Sequence, residues 1–574
     1  MRIVACKVSN YRNVPNTAII FNETRNFIVG ETNLGKSNLL DFLDICFNRR
    51  RFFSDDFCDQ SQGISAELTI TMSDIEIGHF NDYFSPTEPN TINILAKQEE
   101  TDDFVRFYHK ESGAEIPAKK IKAMNYIKYD SLRIPKDELS FSKGRGVGKF
   151  LNNLISKYVE KNSISEQTNL INKDVILDLV SYVNSSMSNI RPFREFRLQA
   201  CTEPEVSEML HKLITVRDEE GYPVEKLGYG LQFVLMITLS ILSYLLKLND
   251  DKARGNYIVE SEGKKMLSIV LGLDEPEIHL HPYMQRNLIK YISTILSGED
   301  DGFNKIIKDL FDIDELTGQA IIVTHSPNII LDDYSEVIRF CLECEASTIV
   351  SGMSFSFPSQ TRKHLLKNMP FVKESYFSRG AIFVEGDSEY GGFKILANKV
   401  VGDLDEFGIS IIHAGSADSI PQLINLFSQF KIPCTSIMDN DKRPQYESLQ
   451  IENLFFTTGK DFEEEIFDAF ELEDYIKFVE ETNPEAMHFF IGPARSLGIN
   501  IDPRRLPLSE QVSILLPENK QNLKMALKEK ELSRLRNNKT ILNGIDLCKY
   551  VTNVPDSYKL VISKSVELSQ KCSV

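Results

Sequence analysis

Apolar and polar positions alternate from the first residues of the chain. Ile3-Val4-Ala5-Cys6-Lys7-Val8 and Ala18-Ile19-Ile20-Phe21 read as strands, and Phe27-Ile28-Val29 runs directly into Gly30. From Ser37 the spacing turns helical, residues 56–72 are again β-rich, and residues 65–71 alternate. From about 140 to 219 the pattern is helical and polar, with weak turn punctuation. Residues 267–273 and 320–323 are short apolar runs, as in strands buried on both faces. After Met369-Pro370 the alternation restarts at 381–384, 409–412 and 435–438, and helical stretches separate these runs. That order predicts a second parallel α/β sheet. The chain from Ser509 onward reads as mostly helical, and there is no internal repeat or low-complexity linker.

Length and charge bound this picture. The 574 residues are enough for three or four domains at ~150 residues each. With 65 Lys and Arg against 83 Asp and Glu, the formal net charge is −18. This excludes a protein that coats polyanions with its whole surface, since phosphate contacts need clustered cations. Local basic strips, or carboxylates that hold metal, remain compatible with it. The N-terminus has no apolar run followed by a cleavage site, so no signal peptide is expected. Residues 233–246 form the longest apolar stretch, broken by Thr238, Ser240, Ser243 and Tyr244, and fall short of the ~20 needed to cross a bilayer. A buried helix and no membrane contact are the reading. Nine cysteines without a secretory signal suggest reduced thiols and a cytoplasmic setting. Cys341-x-x-Cys344 lacks a second pair, so no zinc site is expected.

Two groups of residues carry chemistry. Gly30-Glu-Thr-Asn33-Leu-Gly35-Lys36-Ser37 matches G-x-x-x-x-G-K-[ST] between a predicted strand and a predicted helix. Glycines let backbone N–H groups approach phosphate, and the helix N-terminus favours the anion. Lys36 is expected to reach the β- and γ-phosphates, and Ser37 to complete a Mg²⁺ shell. Gly30, Asn33, Gly35 and Asn38 are the remaining candidate ATP contacts in this stretch. The apolar run ending at Asp274-Glu275-Pro276 delivers Asp274 to hold the metal and Glu275 to polarise an attacking water. Thr324-His325-Ser326 ends another strand, where His325 is a candidate γ-phosphate sensor.

The second group is acidic. Val384-Glu385-Gly386-Asp387-Ser388-Glu389 follows one predicted strand, and Asp439-Asn440-Asp441 ends another. In a parallel sheet both strand ends open on one edge, so Glu385, Asp439 and Asp441 can converge, with Glu389 nearby. Hard oxygen donors suit Mg²⁺ or Mn²⁺. The acidic stretch Lys460-Asp461-Phe462-Glu463-Glu464-Glu465 could supply a second ion, and two ions ~3.5–4 Å apart suit phosphodiester cleavage. Solvated surface acidity is the alternative for each acid taken alone.

These motifs carry two resemblances. Asn10-Tyr11-Arg12-Asn13, the phosphate loop and Ser37-Asn38-Leu39-Leu40 resemble the opening of ABC-type ATPases of the SMC and RecF kind. Leu227-Gly228-Tyr229-Gly230-Leu231-Gln232 is similar to that family's signature motif. The resemblance implies a head-to-tail dimer in which Gly230 and Gln232 meet ATP bound by the other subunit. Gly228 replaces the family's serine, which implies a weaker γ-phosphate contact and slow turnover. The acidic half resembles the Toprim domain of topoisomerases, primases and overcoming-lysogenization-defect (OLD) nucleases, with Glu385 as the first-strand glutamate and Asp439-x-Asp441 as the Asp-x-Asp element. ATPase followed by Toprim in one chain is the OLD layout, and Gly415-Ser416 and Ile432-Pro433 are similar to it as well. The resemblance implies that Asp461 and Glu463 are a late acidic pair and that a C-terminal lysine, placed at Lys539, is catalytic.

Together these readings set the expectations. The fold class is α/β: an ABC/SMC-type ATPase head with a helical dimerisation insert, then a Toprim parallel sheet and a helical tail. The expected boundaries are 1–139 and 220–370 for the ATPase, 140–219 for the insert, 371–490 for Toprim, and 491–574 for a helical region completing its site. The expected function is an ATP-binding, Mg²⁺- or Mn²⁺-dependent DNA endonuclease of anti-phage defence, assembled as a homodimer or higher homo-oligomer. A DNA-repair or scaffolding ATPase of SMC/RecF type is the alternative. The OLD resemblance implies possible partners: a reverse transcriptase with its RNA–DNA product, as in retrons, or a helicase-like protein, as in Gabija. Three basic strips could meet DNA: 144–149, 191–197 with its aromatics, and 518–549, where Lys520, Lys524 and Lys528 share a helical face.

Overall fold

The computed structural model describes residues 1–571 except 74–75, 81, 84, 86–87, 102, 131–149, 151–153, 155–172, 203–213, 251–257, 262, 332, 344–345 and 503–506. The chain divides into two compact units. The first comprises Met1–Leu331, Ser335–Phe340 and Ser347–Ser354; the second comprises Asp332–Tyr334, Cys341–Ala346 and Phe355–Val574. The second unit thus runs continuously from Phe355, earlier than residue 371.

The first unit contains two large sheets. One is antiparallel, in the order β2 (Ala18–Ile20), β1 (Arg2–Ser9), β4 (Ile64–Thr71), β5 (Thr91–Gln98), β6 (Arg106–His109), β7 (Glu115–Ile116). The other has the order β11 (Ile258–Ser261), β12 (Lys264–Asp274), β13 (Glu315–Val323), β3 (Arg25–Gly30), β14 (Val337–Glu343), β15 (Ala346–Ser351), with β8 (Tyr126–Tyr129) also paired to β12. Strands β8, β12, β13, β3 and β14 run parallel. The apolar runs read from the sequence are the buried segments of β12 and β13. Gln319 on β13 is fully buried and exchanges hydrogen bonds with the backbone of Ile3, 3.0 Å as acceptor and 2.9 Å as donor. One amide thereby satisfies both backbone groups where the two sheets meet.

Helix α1 (Lys36–Asp44) follows β3 directly. Among the described residues, the segment expected to be a helical insert holds α2 (Lys173–Met187) and a short helix at Arg191–Glu195. It also holds an antiparallel pair, β9 (Gln199–Thr202) with β10 (Ile214–Arg217), so it is not wholly helical. The rest, including the basic strip at 144–149, lies outside the described residues. The apolar helix is longer than its sequence pattern indicated: α3 spans Tyr229–Asp250. Its Gly230–Leu248 stretch is long and apolar enough to cross a membrane, and 67% of it is buried inside the protein. Phe233, Leu235, Ile237, Leu242 and Leu245 are almost fully buried, as in a core helix.

In the second unit a parallel sheet has the order β17 (Ile409–His413), β16 (Gly380–Val384), β18 (Cys434–Met438), β19 (Leu454–Phe456). The chain leaves β16 first to one side and then to the other, which makes the β16–β18 edge a topological switch point. Strand β19 is too short and too exposed to announce itself by pattern. The helices α4 (Asp387–Val400), α5 (Phe462–Ala469), α6 (Leu472–Thr482), α7 (Pro517–Arg536), α8 (Ile541–Tyr550) and α9 (Asp556–Lys571) share one core with the strands. Leu523, Leu527, Tyr558 and Val561 pack in it with Ile382, Val384 and Ile437, so the helical tail is an integral layer of this unit.

Candidate functional site

The phosphate loop is built from backbone. Gly30 has φ +120°, and a Cβ there would stand 1.9 Å from the Phe340 carbonyl oxygen, so a side chain cannot enter. Gly35 precedes α1 with φ +91°, and Asn33 also adopts a positive φ, 64°. Lys36 is buried, and its Nζ donates to the carbonyls of Gly30 (3.0 Å) and Glu31. Burial pulls its pKa down to about 8, against the attraction of Glu275 and Asp274. Ser37 Oγ donates to Asp274 Oδ1 at 2.8 Å, which joins the loop to the end of β12. Asp274 pairs with Val323, and Val323 with Ile28, so the three strand ends lie in line. Burial raises the Asp274 carboxyl, with the Ser37 bond opposing.

Glu275 follows with φ 46°, and its Oε1 lies 3.4 Å from His325 Nε2. Burial, and then the Lys36 charge, lower the His325 pKa. Lys36, Ser37, Asp274, Glu275 and His325 therefore stand together. Glu277 is part of the same arrangement and was not singled out from the sequence. Its Oε1 accepts from His325 N (2.7 Å) and Thr324 Oγ1 (2.8 Å), which fixes the turn carrying His325. Only the Asp-Glu-Pro-Glu run could have signalled it. Arg12 was likewise quoted without a role; it bridges Asp56, Asn38 and Asp41 at 2.6–2.9 Å.

Two expected ATP contacts make hydrogen bonds within the protein. Asn38 donates to Asn13 Oδ1 at 2.6 Å and accepts from Arg12, so it ties α1 to the N-terminal loop. Gln232 is 2% exposed and donates to the Leu227 carbonyl at 2.7 Å, holding its own turn. Gly230 packs against the turn after β12, where a Cβ would meet the His279 carbonyl at 3.2 Å.

The acidic site gathers at the switch point of the second sheet. Glu385 ends β16 and Asp439 ends β18, its immediate neighbour. Burial raises the Glu385 carboxyl, Asp441 adds to the rise, and Lys442 and Lys539 oppose it. Glu385 Oε2 is buried with no hydrogen-bond partner among the described residues. Burial and the Glu385 charge push Asp439 up to about 7, although its Oδ1 accepts from Phe462 N at 3.0 Å. Asp441 is exposed on the following turn. Glu389 is turned inward: Oε2 accepts from the N–H groups of Glu385 (2.7 Å) and Gly386 (3.2 Å), so it shapes the strand-to-helix turn. Burial and Asp439 hold its carboxyl far above the usual range.

The late acidic pair separates into two uses. Asp461 caps α5 through Glu464 N (3.0 Å) and holds Arg536 bidentately at 2.6 and 3.1 Å, so its carboxylate is already neutralised. Glu463 is 1% exposed, and Lys539 Nζ lies 2.9 Å from its Oε2. Burial works against the Lys539 charge, but Glu463, Asp439 and Asp461 outweigh it and its pKa is raised. Its position depends on two glycines: a Cβ on Gly544 would lie 1.9 Å from the Ser388 carbonyl, and one on Gly391 2.0 Å from that of Ile541. Helices α4 and α8 therefore touch backbone to backbone, which sets Lys539, just before α8, beside the strand ends. Among the described residues no three acidic, His or Cys side chains close on a single point. The donor chemistry nonetheless suits a divalent cation: buried carboxylate oxygens without donors, and an Asp439 whose charge is held off mainly by burial and Glu385.

Among the described residues, most cations of the two remaining basic strips are paired within the protein. Lys520 pairs with Glu473 and Lys528 with Glu464 and Asp468, each at 2.8 Å. Lys524 caps the Asp468 and Phe470 carbonyls at 2.7 and 2.6 Å, at the C-terminal end of α5. Arg534 is bound to Glu531 and Tyr475. This face fastens α7 to α5 and α6 and does not lie open to DNA. In 191–197, Arg191 pairs with Glu195, Arg197 with Glu219, and Phe193 is buried, which removes it as a stacking surface.

A phosphate loop at the end of a central parallel strand, with its serine on the aspartate of a strand in the same sheet, defines the first unit as a P-loop ATPase domain. Residues 1–330 match the AAA ATPase domain family in two overlapping stretches, 1–175 and 147–330, and the chain belongs to that family. Residues 376–441 match the Toprim domain of the overcoming-lysogenization-defect-protein-like family. The chain thus joins an AAA-type ATPase domain to an OLD-like Toprim domain. No curated protein is similar enough in sequence to count as a relative. Similar solved structures include an SMC head bound to the C-terminal winged-helix domain of ScpA (13% identity, 61% of this chain, 98% of that chain, TM-score 0.36). The SMC head domain from Thermotoga maritima (15%, 61%, 99%, 0.28) and the recombination mediator RecF of the RecFOR pathway (14%, 61%, 98%, 0.33) are others. Likenesses of this depth decide nothing about the site.

Proposed function

We propose that the chain is an ATP-binding, Mg²⁺- or Mn²⁺-dependent DNA endonuclease whose ATPase half controls a two-metal Toprim site. The observation that carries this reading is the meeting of Glu385, Asp439, Asp441 and Lys539 at one sheet edge, beside the buried Glu463. Glu385, Asp439, Asp441 and Glu463 would hold the ions, whose chemistry is to generate a nucleophile and to neutralise charge on the scissile phosphate. Glu389 supports the turn that presents Glu385, and Asp461 acts through Arg536 and the cap of α5. Lys539 adds a fixed positive charge for the transition state. In the ATPase half, Gly30, Asn33, Gly35 and Lys36 would cradle the phosphates, Ser37 and Asp274 the nucleotide's Mg²⁺, and Glu275 and His325 the attacking water and γ-phosphate. Gly230 faces a second subunit in this scheme. The functional map keeps 1–139, 140–219, 220–370, 371–490 and 491–574, with the last two as one unit that runs continuously from Phe355, in a homodimer or larger homo-oligomer in the cytoplasm.

The test is cleavage of plasmid and single-stranded DNA with Mg²⁺ or Mn²⁺. Asp439→Ala is expected to abolish cutting and to leave ATP binding unchanged; Lys36→Ala is expected to abolish ATP binding or its control of cutting. Equal cutting by Asp439→Ala and wild type sinks the assignment. A DNA-repair or scaffolding ATPase, whose Toprim half only binds, is favoured by one observation, that no three ligands are pre-assembled among the described residues. A chain that binds DNA and never cuts it establishes that reading. A role in anti-phage defence predicts co-purification with a reverse transcriptase and its RNA–DNA product, or with a helicase-like protein.

A further inference from the structure

The edge that carries Glu385 has a second flank. His413 ends β17, the strand on the opposite side of β16 from Asp439, and pairs in register with Val384. Ala414 N donates to the Val384 carbonyl at 2.9 Å, which locks His413 one strand spacing, ~4.8 Å, from the residue before Glu385. Its Nε2 lies 3.6 Å from Asp387 Oδ1, on the first turn of α4. Its side chain is 36% exposed, and the 39%-exposed Tyr390 lies beside it with ring centroids 6.1 Å apart. The chain then turns away at Gly415 with φ +73°, and a Cβ there would meet nothing within 4 Å. A half-exposed imidazole therefore stands at the open side of the acidic edge, near a carboxylate that it does not hydrogen-bond, with no role in the core.

The arrangement matches a strand of nucleic acid laid across the sheet edge. Strand β17 flanks β16 on the side away from β18, so a strand crossing the edge from β18 over β16 passes β17 next. We propose that His413 donates its ring N–H to a non-bridging oxygen of the phosphodiester adjacent to the scissile one, and that Tyr390 supports the sugar or base beside it. This rests on the nuclease reading above and names the substrate-gripping group of that site. Lys539 sits at the reacting centre, whereas His413 acts in binding and registers the strand. A histidine serving only to tie β17 to α4 would affect folding and leave DNA affinity alone.

The experiment uses the full chain, a fluorescein-labelled single-stranded oligonucleotide and Ca²⁺ as the only divalent ion, with binding read by anisotropy. His413→Ala is expected to weaken binding about tenfold, the effect of one hydrogen bond to a charged group, with its thermal midpoint unchanged. His413→Gln, which keeps a donor, is expected to retain most of the affinity. In Mg²⁺, His413→Ala is expected to raise KM with little change in kcat. His413→Ala within twofold of wild-type affinity overturns the inference alone, whatever the cutting rate. A wild-type chain that binds no DNA overturns the nuclease reading and this inference together.

Discussion

The two chemical sites of this chain lie at the same place in two sheets, the C-terminal edge of parallel strands, and are built in opposite ways. The phosphate loop is a contiguous run whose shape comes from glycines and left-handed backbone at Gly30, Asn33 and Gly35. Its one lysine is satisfied by carbonyls of its own loop. The Toprim edge is assembled from positions 385 to 539 and concentrates like charges, with a lysine brought in where Gly391 packs on the Ile541 backbone and Gly544 on that of Ser388. A backbone-built anion site needs local sequence only, while a carboxylate site needs burial, opposing charge and distant elements to be in register. The first is therefore robust to changes elsewhere in the fold, and the second is not.

After the loss expected for Asp439→Ala, the largest effect comes from removing the distant lysine. Lys539→Ala should lower DNA cleavage by about 10²–10³ and leave ATP binding as it is, measured by product formation under single-turnover conditions. An equal loss in both activities would break the contrast between the two sites. The next is pH. Asp439, at about 7, must lose a proton to hold a cation, so metal affinity should rise by up to about tenfold per pH unit toward 7 and level off above it. The sign for stability is opposite: the folded pKa lies above the unfolded value, so the metal-free chain loses stability as pH rises through 7, and added Mg²⁺ restores it. Titration by calorimetry at pH 6, 7 and 8 reads the first, thermal melts with and without metal the second.

Glu277→Ala should reduce ATP turnover about tenfold, because the turn carrying His325 loses its two hydrogen bonds, with the midpoint of DNA binding unchanged. The smallest effect distinguishes structural from functional cations. Lys524→Met should cost about 1 kcal/mol of stability through the uncapped Asp468 and Phe470 carbonyls, read in a thermal melt, and should leave DNA affinity within twofold.

That last case shows where local pattern misleads. Lys520, Lys524 and Lys528 recur on one helical face whether they meet phosphate or the acids of α5 and α6, and spacing cannot distinguish the two. The pairing of Asp461 with Arg536 and the inward turn of Glu389 are hidden for the same reason: each is a contact between distant positions or a choice of rotamer. Gln232 and Asn38 matched their motifs and were claimed by nearby backbone and side-chain partners. Strand β19 was missed because three half-exposed residues have no measurable period. Most strands flanking the two sites were legible, since burial on both faces leaves an apolar run that a sequence cannot conceal.

Alone, the order of residues determined the α/β class, the phosphate loop, the acids at strand ends and the succession of an ATPase by a Toprim sheet. The first three follow from spacing within about a dozen residues, where strand and helix periods govern which side chains meet, and the last from the resemblance of the motifs to known families. Tertiary structure decided which charges are spent on one another and which stay available. It set Lys539 against Glu463, pushed Asp439 up to about 7, and left His413 open on the far flank of Glu385. Those outcomes depend on burial and on through-space distance, which the linear order of residues does not contain.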